Sequence, residues 1–460
     1  MRDILDICQQ ATEGPKLDEQ DFDIDYVYAT LVGLIETYDL HFDGDDPVPS
    51  DDALADCVFA AAVEFFVGCG VYFKDTQRVV TFSPDEVRAD LAAYSGQCHF
   101  GDGAEARVFT PRKPDSDTRP WCHVGAGTVA STEEIAMQIV RGNASIAAAD
   151  SMSVPALDHV DGHLIMANTP AEVRGAIRSI RIARQACKDV GREGLAIING
   201  VAAAGTARGT IAASSQASGW RESDCVIVGT LAEFKTNFEM MTKVVWCQDS
   251  PTRCVLASAP LMGGFAGGPE AMAIINTAYA ILGVVVYQCD YFLSLPMDLR
   301  LGCSTSRPVL WAWSVSNQAI SRNTNVPTLA LPYAAGGPMT ESYYYEAAAA
   351  TIAAIASGVS CQTTHPAGAL FPDFLTPMEM RGCVEIALGA TGMTRKEASP
   401  VVAKLLTIYE NKLTDPDRGK SYPECFDIKT GQPTAEHVKV VEAIKGDLAK
   451  LGVPFKPAER

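Results

Sequence analysis

"GLAIINGVAAAGT" (194–206) is the stretch on which the reading of this chain turns. Glycines flank a short apolar run rich in β-branched residues, the pattern of a strand buried on both faces. Asn199 ends the run where Gly200 opens a tight turn. A polar residue at the carboxyl end of a buried parallel strand stands where α/β proteins place their chemistry.

Similar runs recur on both sides of it: "CHVGAG" (122–127), "GHLIM" (162–166), "CVIVGT" (225–230), "CVLASA" (254–259), "VVVYQC" (284–289), "TLALPY" (328–333) and "GVSCQ" (358–362). One more short run is expected just before Arg307 or near 309–314. Amphipathic helices separate them. In "TPAEVRGAIRSIRIARQACKDVG" (169–191), Thr169 and Glu172 read as a capping box, Val173, Ile177, Ile180 and Cys187 share a face, and Gly191 is the stop. Ser131 and Glu134 open another helix, and Gly358 ends a third. This alternation predicts an α/β fold, an eight-stranded (β/α)8 TIM barrel over residues 116–395. No glycine-rich phosphate fingerprint follows an early strand, which weighs against a doubly wound sheet. An N-terminal, mainly helical extension (1–115) carries a small hairpin, "VYFKDTQRVVTF", and a helix start at Ser83 and Pro84. C-terminal helices occupy 396–460, with Val441, Ile444, Leu448 and Leu451 on one face of the last.

With 460 residues, 47% of them hydrophobic, the chain can bury a large core. A net charge of −19 without any Lys/Arg cluster excludes nucleic acid as a partner, since phosphates need a basic face. Small neutral or cationic substrates, or a protein, suit it better. The 14 cysteines are dispersed and mostly lie in apolar runs, pointing to reduced thiols and a cytoplasmic protein. The start has no apolar signal core. "AMAIINTAYAILGVVVY" (271–287) is uncharged but shorter than the roughly 20 residues a bilayer needs. A helix followed, beyond Gly283, by a buried strand accounts for it, and no membrane association is expected.

The most unusual run is "APLMGGFAGGPEAM" (259–272), whose four glycines let backbone approach a ligand or simply serve a turn needing positive φ. The pairs Cys98–His99 and Cys122–His123 fit no closed zinc site, because neighbours on a strand face opposite ways. His159 and His163, four apart, suit one helical face as a structural pair. His365, after a strand, and Glu233 are candidate bases. The aromatics Trp246, Tyr287, Tyr291, Phe292, Trp311, Trp313 and Tyr333 fall near expected strand ends, where they serve core packing or hold a cation. There is no nucleophile elbow, HExxH or P-loop lysine.

Five long runs in one order carry a resemblance: "GCGVYFKDTQRVV" (68–80), "PLMGGFAGGPE" (260–270), "GCSTSR" (302–307), "PYAAGGPMTE" (332–341) and "YENKLTDPDRGKSYPECFDIKTGQPTAEH" (409–437). Over nearly its whole length the chain resembles the corrinoid-dependent monomethylamine methyltransferases of methanogens. The resemblance implies a barrel that passes a methyl group from a methylated amine to Co(I) of a corrinoid on a separate small protein, in a homo-oligomer such as a hexamer. It implies no metal of the chain's own. In that family a pyrrolysine stands at the barrel mouth; here "GREGLAIINGV" puts Asn199 in its place. The family's surrounding carboxylates fall at Ala202, near Ile227 and at Ala257, and its Gln/Tyr pair near Leu331 and at Tyr333. Only the tyrosine is kept.

The resemblance thus casts Asn199 and Tyr333 as catalytic. Ala202, Ile227, Ala257, Leu331, Trp246 and Trp313 become substrate-binding, and Gly263, Gly264, Gly267, Gly268, Ser304 and Arg307 corrinoid-facing. Without pyrrolysine and its acids the expected donor is a quaternary or otherwise pre-activated methyl compound, as in pyrrolysine-free members of the related trimethylamine methyltransferase superfamily. An uncharged methoxy or methylthio donor, or an idle homologue that docks a corrinoid protein, are the alternatives.

Overall fold

The computed structural model describes residues 1–199 and 205–459. Eight parallel strands close into a barrel: β1 (Cys122–Val124), β2 (Ser151–Met152), β3 (Ala196–Asn199), β4 (Cys225–Gly229), β5 (Arg253–Ser258), β6 (Tyr291–Ser294), β7 (Thr328–Ala330) and β8 (Ser360–Gln362). Each pairs with the next in the chain, and β8 returns to β1 through Cys361↔Cys122. Helices follow the strands: α1 (Glu133–Ala144), α2 (Pro170–Asp189), α3 (Ala207–Ala213), α4 (Phe238–Asp249), α5 (Pro269–Val285), α6 (Arg307–Asn323), α7 (Glu341–Ala356) and α8 (Pro377–Gly389). Two more, α9 (Arg395–Tyr409) and α10 (Ala435–Lys450), complete the C-terminal part, with Val441, Ile444 and Leu448 buried.

The runs expected as strands at 284–289 and near 309–314 are not strands: Val284 and Val285 end a helix, 286–289 turn out of it, and 309–314 is helical. The uncharged run is one helix, α5, with every residue from Ala271 to Val285 buried. A helix apolar all round must be covered all round. The barrel lies on one side of it and the N-terminal helix Asp52–Cys69 on another. Gly283 does not divide the run; a Cβ there would meet the Leu256 side chain at 3.3 Å, so glycine lets α5 lie close on β5. The barrel strand is the next run, 291–294. "GHLIM" also stands outside the barrel, in a hairpin of 159–160 with 163–164. His159 and His163 therefore share no helical face. β2, only Ser151 and Met152 with Ser153 next to it, carries no apolar run that would announce it.

Two capping expectations shift by one partner. α1 is capped by Thr132, whose hydroxyl accepts from Ile135 N–H, while Ser131 donates to Asp373. Thr169 caps α2 by position only, because the Glu172 carboxylate is drawn to Asn168 N–H and to Thr206. On α2 Val173 is exposed, and the buried face is set by Gly175, Ala176, Ser179, Ile180, Ala183 and Cys187.

The hairpin foreseen at 71–82 forms, Val71–Phe73 against Arg78–Val80. It gains a third strand from the barrel, as Tyr72 and Phe73 pair with Lys235 and Thr236 beyond β4. Buried Lys235 bonds Asp23 at 2.7 Å and Glu19 at 2.9 Å, tying the N-terminal segment to that loop. A second hairpin, 98–100 with 107–109, lies across the amino ends of the strands. Its Phe100 and Phe109 pack on Trp121 and Tyr291 with centroids 5.2 to 5.9 Å apart, closing the barrel floor.

Candidate active site at the barrel mouth

Alternation along a strand sends every second side chain into the barrel. On β3 to β7 the inner set is Ala196 and Ile198, Cys225 and Ile227, Val255 and Ala257, Tyr291 and Leu293, and Leu329 with Leu331 above it. These form one apolar cluster, against which Leu295 and Tyr333 pack from the loops beyond β6 and β7. Ile227, Ala257, Leu295 and Tyr333 are half-exposed and form its upper edge.

β1, β2 and β8 fill the other side with polar groups. Trp121 Nε1–H donates to Ser151 Oγ (2.8 Å), Ser151 bonds His123 Nδ1 (2.8 Å), His123 Nε2 bonds Ser153 Oγ (2.9 Å), and Ser153 donates to Ile198 O (2.9 Å). Because Ser153 spends its proton on a carbonyl, His123 carries its hydrogen on Nε2 and accepts from Ser151 on Nδ1. Every member is satisfied by a neutral imidazole, and burial pushes the His123 pKa down to about 3. Across this half stand Ser360 and Gln362 of β8, the former accepting from Trp121 N–H.

At the mouth Tyr333 and His365 form a parallel bridge, with ring centroids 4.5 Å apart. Burial raises Tyr333 to about 12 and lowers His365 to about 3, so both are neutral near pH 7. Ser304 is fully buried and holds Tyr333 by its backbone: its N–H donates to Tyr333 O (2.8 Å), and its Oγ accepts from Tyr333 N–H (3.3 Å). Among the described residues, the inner strand positions carry no carboxylate.

The sequence-derived residues divide clearly. Ile227, Ala257, Leu331 and Tyr333 are together around the apolar cluster. Asn199 is buried at the end of β3, but pairing with Val226 puts it in phase with Ile197, whose side chain packs outward, rather than with inward Ile198. Ala202 lies outside the described residues. Trp246 and Trp313 are in the helical layer, bonded through Nε1 to Ser214 (2.9 Å) and Ser294 (2.8 Å), away from Tyr333. The wider aromatic set does not converge at the mouth either: Trp311 packs on Phe42, Tyr287 bonds Thr236, and Tyr291 sits on the floor. Amphipathic helices turn such side chains towards the strands they cover, which is their commoner use.

The glycine loop stands beyond β5 and closes on itself through Gly263 N–H to Gly267 O (2.9 Å). Gly263 and Gly267 have φ of 87° and 69°, so two of the four glycines meet a backbone need. Gly264 lies between them and Gly268 precedes α5. At the tip Phe265 is exposed, as are Leu299, Leu370 and Phe371 on the loops after β6 and β8. Arg307 is engaged by Glu410 in a fork of two 2.9 Å bonds. Glu233 is buried beyond β4; one oxygen accepts from Leu261 N–H (2.8 Å), and burial raises its pKa to about 7.

His123, Ser151, Ser153 and Gln362 were missed. His123 and Gln362 are inward positions of "CHVGAG" and "SCQTTH" once the strands are known, while Ser151 and Ser153 lie in "SMS" (151–153), a run too short and polar to announce a strand.

The whole chain has relatives. Residues 2–453 match the family described as monomethylamine methyltransferase MtmB. The chain belongs to the MtmB family. It is 27% identical to MtmB2 of Methanosarcina barkeri and 28% identical to MtmB of Methanosarcina mazei, in each case over 454 residues and 98% of both chains. The crystal structure of M. barkeri MtmB superposes with a TM-score of 0.94 at 26% identity, covering 98% of each chain. The hydroxylamine complex of MtmB gives the same figures. The barrel of this MtmB homologue is therefore the barrel of a methyltransferase family, conserved in shape far beyond its sequence.

Proposed function

We propose that this chain transfers a methyl group from a quaternary, or otherwise pre-activated, methylated amine to the corrinoid of a separate protein. The observation that carries the reading is the upper edge of the barrel interior: Ile227, Ala257 and Leu295 beside a neutral Tyr333. The corrinoid supplies the Co(I) nucleophile; the chain must seat the donor so that its methyl–nitrogen bond points out of the mouth. A primary or secondary amine departs only once protonated, which asks for an acid within reach. A quaternary ammonium departs as a neutral amine, so an apolar wall is sufficient for it. Tyr333 offers a ring face to the cation, and the apolar side chains exclude water from it. Under this reading Asn199 marks the point of departure from the pyrrolysine enzymes, and the chain works without a metal of its own as a cytoplasmic homo-oligomer.

The residues present fit a corrinoid-bearing partner. Phe265, Leu299, Leu370 and Phe371 are exposed on three loops around one opening. Apolar side chains so grouped mark surfaces that bind other molecules, and a flat macrocycle in a protein frame suits them. The same wall favours a second reading, an uncharged methoxy or methylthio donor, since nothing polar on the apolar side needs a charge to answer it.

The test is a donor panel against reduced corrinoid protein, following methylation of the corrinoid by absorbance. Turnover of quaternary ammonium donors with none from monomethylamine supports the proposal. Turnover of ethers or thioethers alone selects the second reading, and no turnover with any donor leaves a docking homologue.

A further inference from the structure

Gln362 projects inward from β8, and its amide nitrogen lies 3.3 Å from Gly125 O and 3.1 Å from His365 Nε2. The contact to a carbonyl settles which end of the amide is there, since only the NH2 group can donate to Gly125 O. Its second hydrogen then points at His365, so Nε2 must be the bare, accepting nitrogen. A neutral imidazole with bare Nε2 carries its hydrogen on Nδ1. His365 is 2% exposed, and its Nδ1 has no hydrogen-bond partner among the described residues.

The mouth thus contains an oriented N–H donor, buried and unused. Buried donors without acceptors are rare in folded proteins because each forfeits its hydrogen bond to water. The contrast with His123 is informative. That imidazole, equally buried, has both nitrogens satisfied by serines of the barrel. The two nitrogens of an imidazole point nearly opposite ways. With Nε2 on Gln362, Nδ1 lies on the far side of the ring from it, and the ring packs on Tyr333, which borders the apolar cluster.

We propose that His365 is a substrate-binding residue whose Nδ1–H holds an oxygen acceptor, a carboxylate or carbonyl, on the methyl donor. The inference rests on the methyl-transfer reading and deepens it: the donor is a methylated compound that bears such an oxygen, rather than a simple tetraalkylammonium. Gln362 is the positioning residue that fixes the tautomer. The cationic or apolar methyl end then lies against Ile227 and Ala257, and the oxygen end against His365. One pocket in this way orients a donor that has a polar and an apolar end.

The test uses the full-length protein and calorimetric binding of two probes, a trimethylammonium acetate zwitterion and tetramethylammonium, with KM and kcat for each in the corrinoid assay. The expected result is at least tenfold tighter binding of the zwitterion and a tenfold or greater loss on His365→Ala, seen in Kd and KM more than in kcat. His365→Asn, whose amide N–H stands near the position of Nδ1, restores binding to within about threefold; His365→Gln does not. In 15N-histidine spectra the Nδ1–H signal of His365 should give way to mixed tautomers in Gln362→Leu, a change that mere packing loss does not produce. Equal affinity for both probes, absence of zwitterion binding at millimolar concentration, or an Nε2–H tautomer in the wild type overturns the inference. His365-dependent zwitterion binding without any methyl transfer sustains it while sinking the methyltransferase reading. Methyl transfer from both probes with equal KM does the reverse.

Discussion

The two halves of the barrel interior solve the same packing problem by opposite means. Between β3 and β7, aliphatic side chains fill the space around Tyr291. Between β8, β1 and β2 a directional chain of hydrogen bonds fills it, from the Trp121 indole through Ser151, His123 and Ser153 to the Ile198 carbonyl. The apolar half tolerates changes of shape, because hydrophobic contacts are non-directional. The polar half does not, since each donor has a single acceptor and a buried network is worth having only if it is complete. Its edge at the mouth is Gln362 and His365, where His365 Nδ1 is left without a partner among the described residues.

Breaking the polar half should have the largest effect. His123→Leu leaves two buried serine hydroxyls short of a partner, and we expect a loss of about 3 kcal/mol in chemical denaturation. A result under about 1 kcal/mol would show that the chain reorganises as freely as the apolar wall. Glu233, buried beyond β4, gives a change of similar size in its pH dependence. Its carboxyl is raised from an ordinary 4.5 to about 7, so the folded state holds a proton that the unfolded state releases. That contribution is complete below about pH 4.5 and is lost as pH rises to about 7. Glu233→Gln should therefore flatten the decline of stability across this window by about 3 kcal/mol, as read by denaturant midpoints at several pH values. An unchanged slope would remove the buried acid from the account.

The apolar half is probed more gently. Ile227→Phe narrows the half-exposed edge and should lower kcat/KM for the preferred donor about tenfold, close to 1.4 kcal/mol, with the melting temperature nearly unchanged. If turnover is unaffected, the donor does not sit against β4. Trp246→Phe should have the smallest effect, about 1 kcal/mol of stability from the lost bond to Ser214. Donor KM should stay the same; a raised KM would bring the helical layer back into the site.

Much of the fold was legible in the sequence because buried parallel strands and amphipathic helices leave different periodicities. β1, β3, β4, β5, β7 and β8 coincide with expected runs, and the barrel closes as anticipated. The errors have physical causes. α5 is covered on every side, so its sequence has no periodic polar face and its last turn passes for a strand. β2 is Ser151 and Met152 alone, followed by Ser153, and its polar character comes from the hydrogen-bonded half of the interior. The site was legible only in part. Ile227, Ala257, Leu331 and Tyr333 lie together around the apolar cluster, whereas Asn199 follows Ile198, the last described inward residue of its strand, and is out of phase with it. Trp246 and Trp313 mislead because an aromatic near a strand end in sequence can sit on either surface of the barrel wall.

The floor of the barrel has a kinetic consequence. Phe100 and Phe109 on Trp121 and Tyr291 close the amino end of the barrel, which leaves the carboxyl end, beside Phe265, Leu299, Leu370 and Phe371, as the way in. Under the proposed methyl transfer a small donor and a protein partner would share that end. The donor is expected to load before the partner docks and its product to leave after the partner lifts away, so a surplus of corrinoid protein should inhibit turnover.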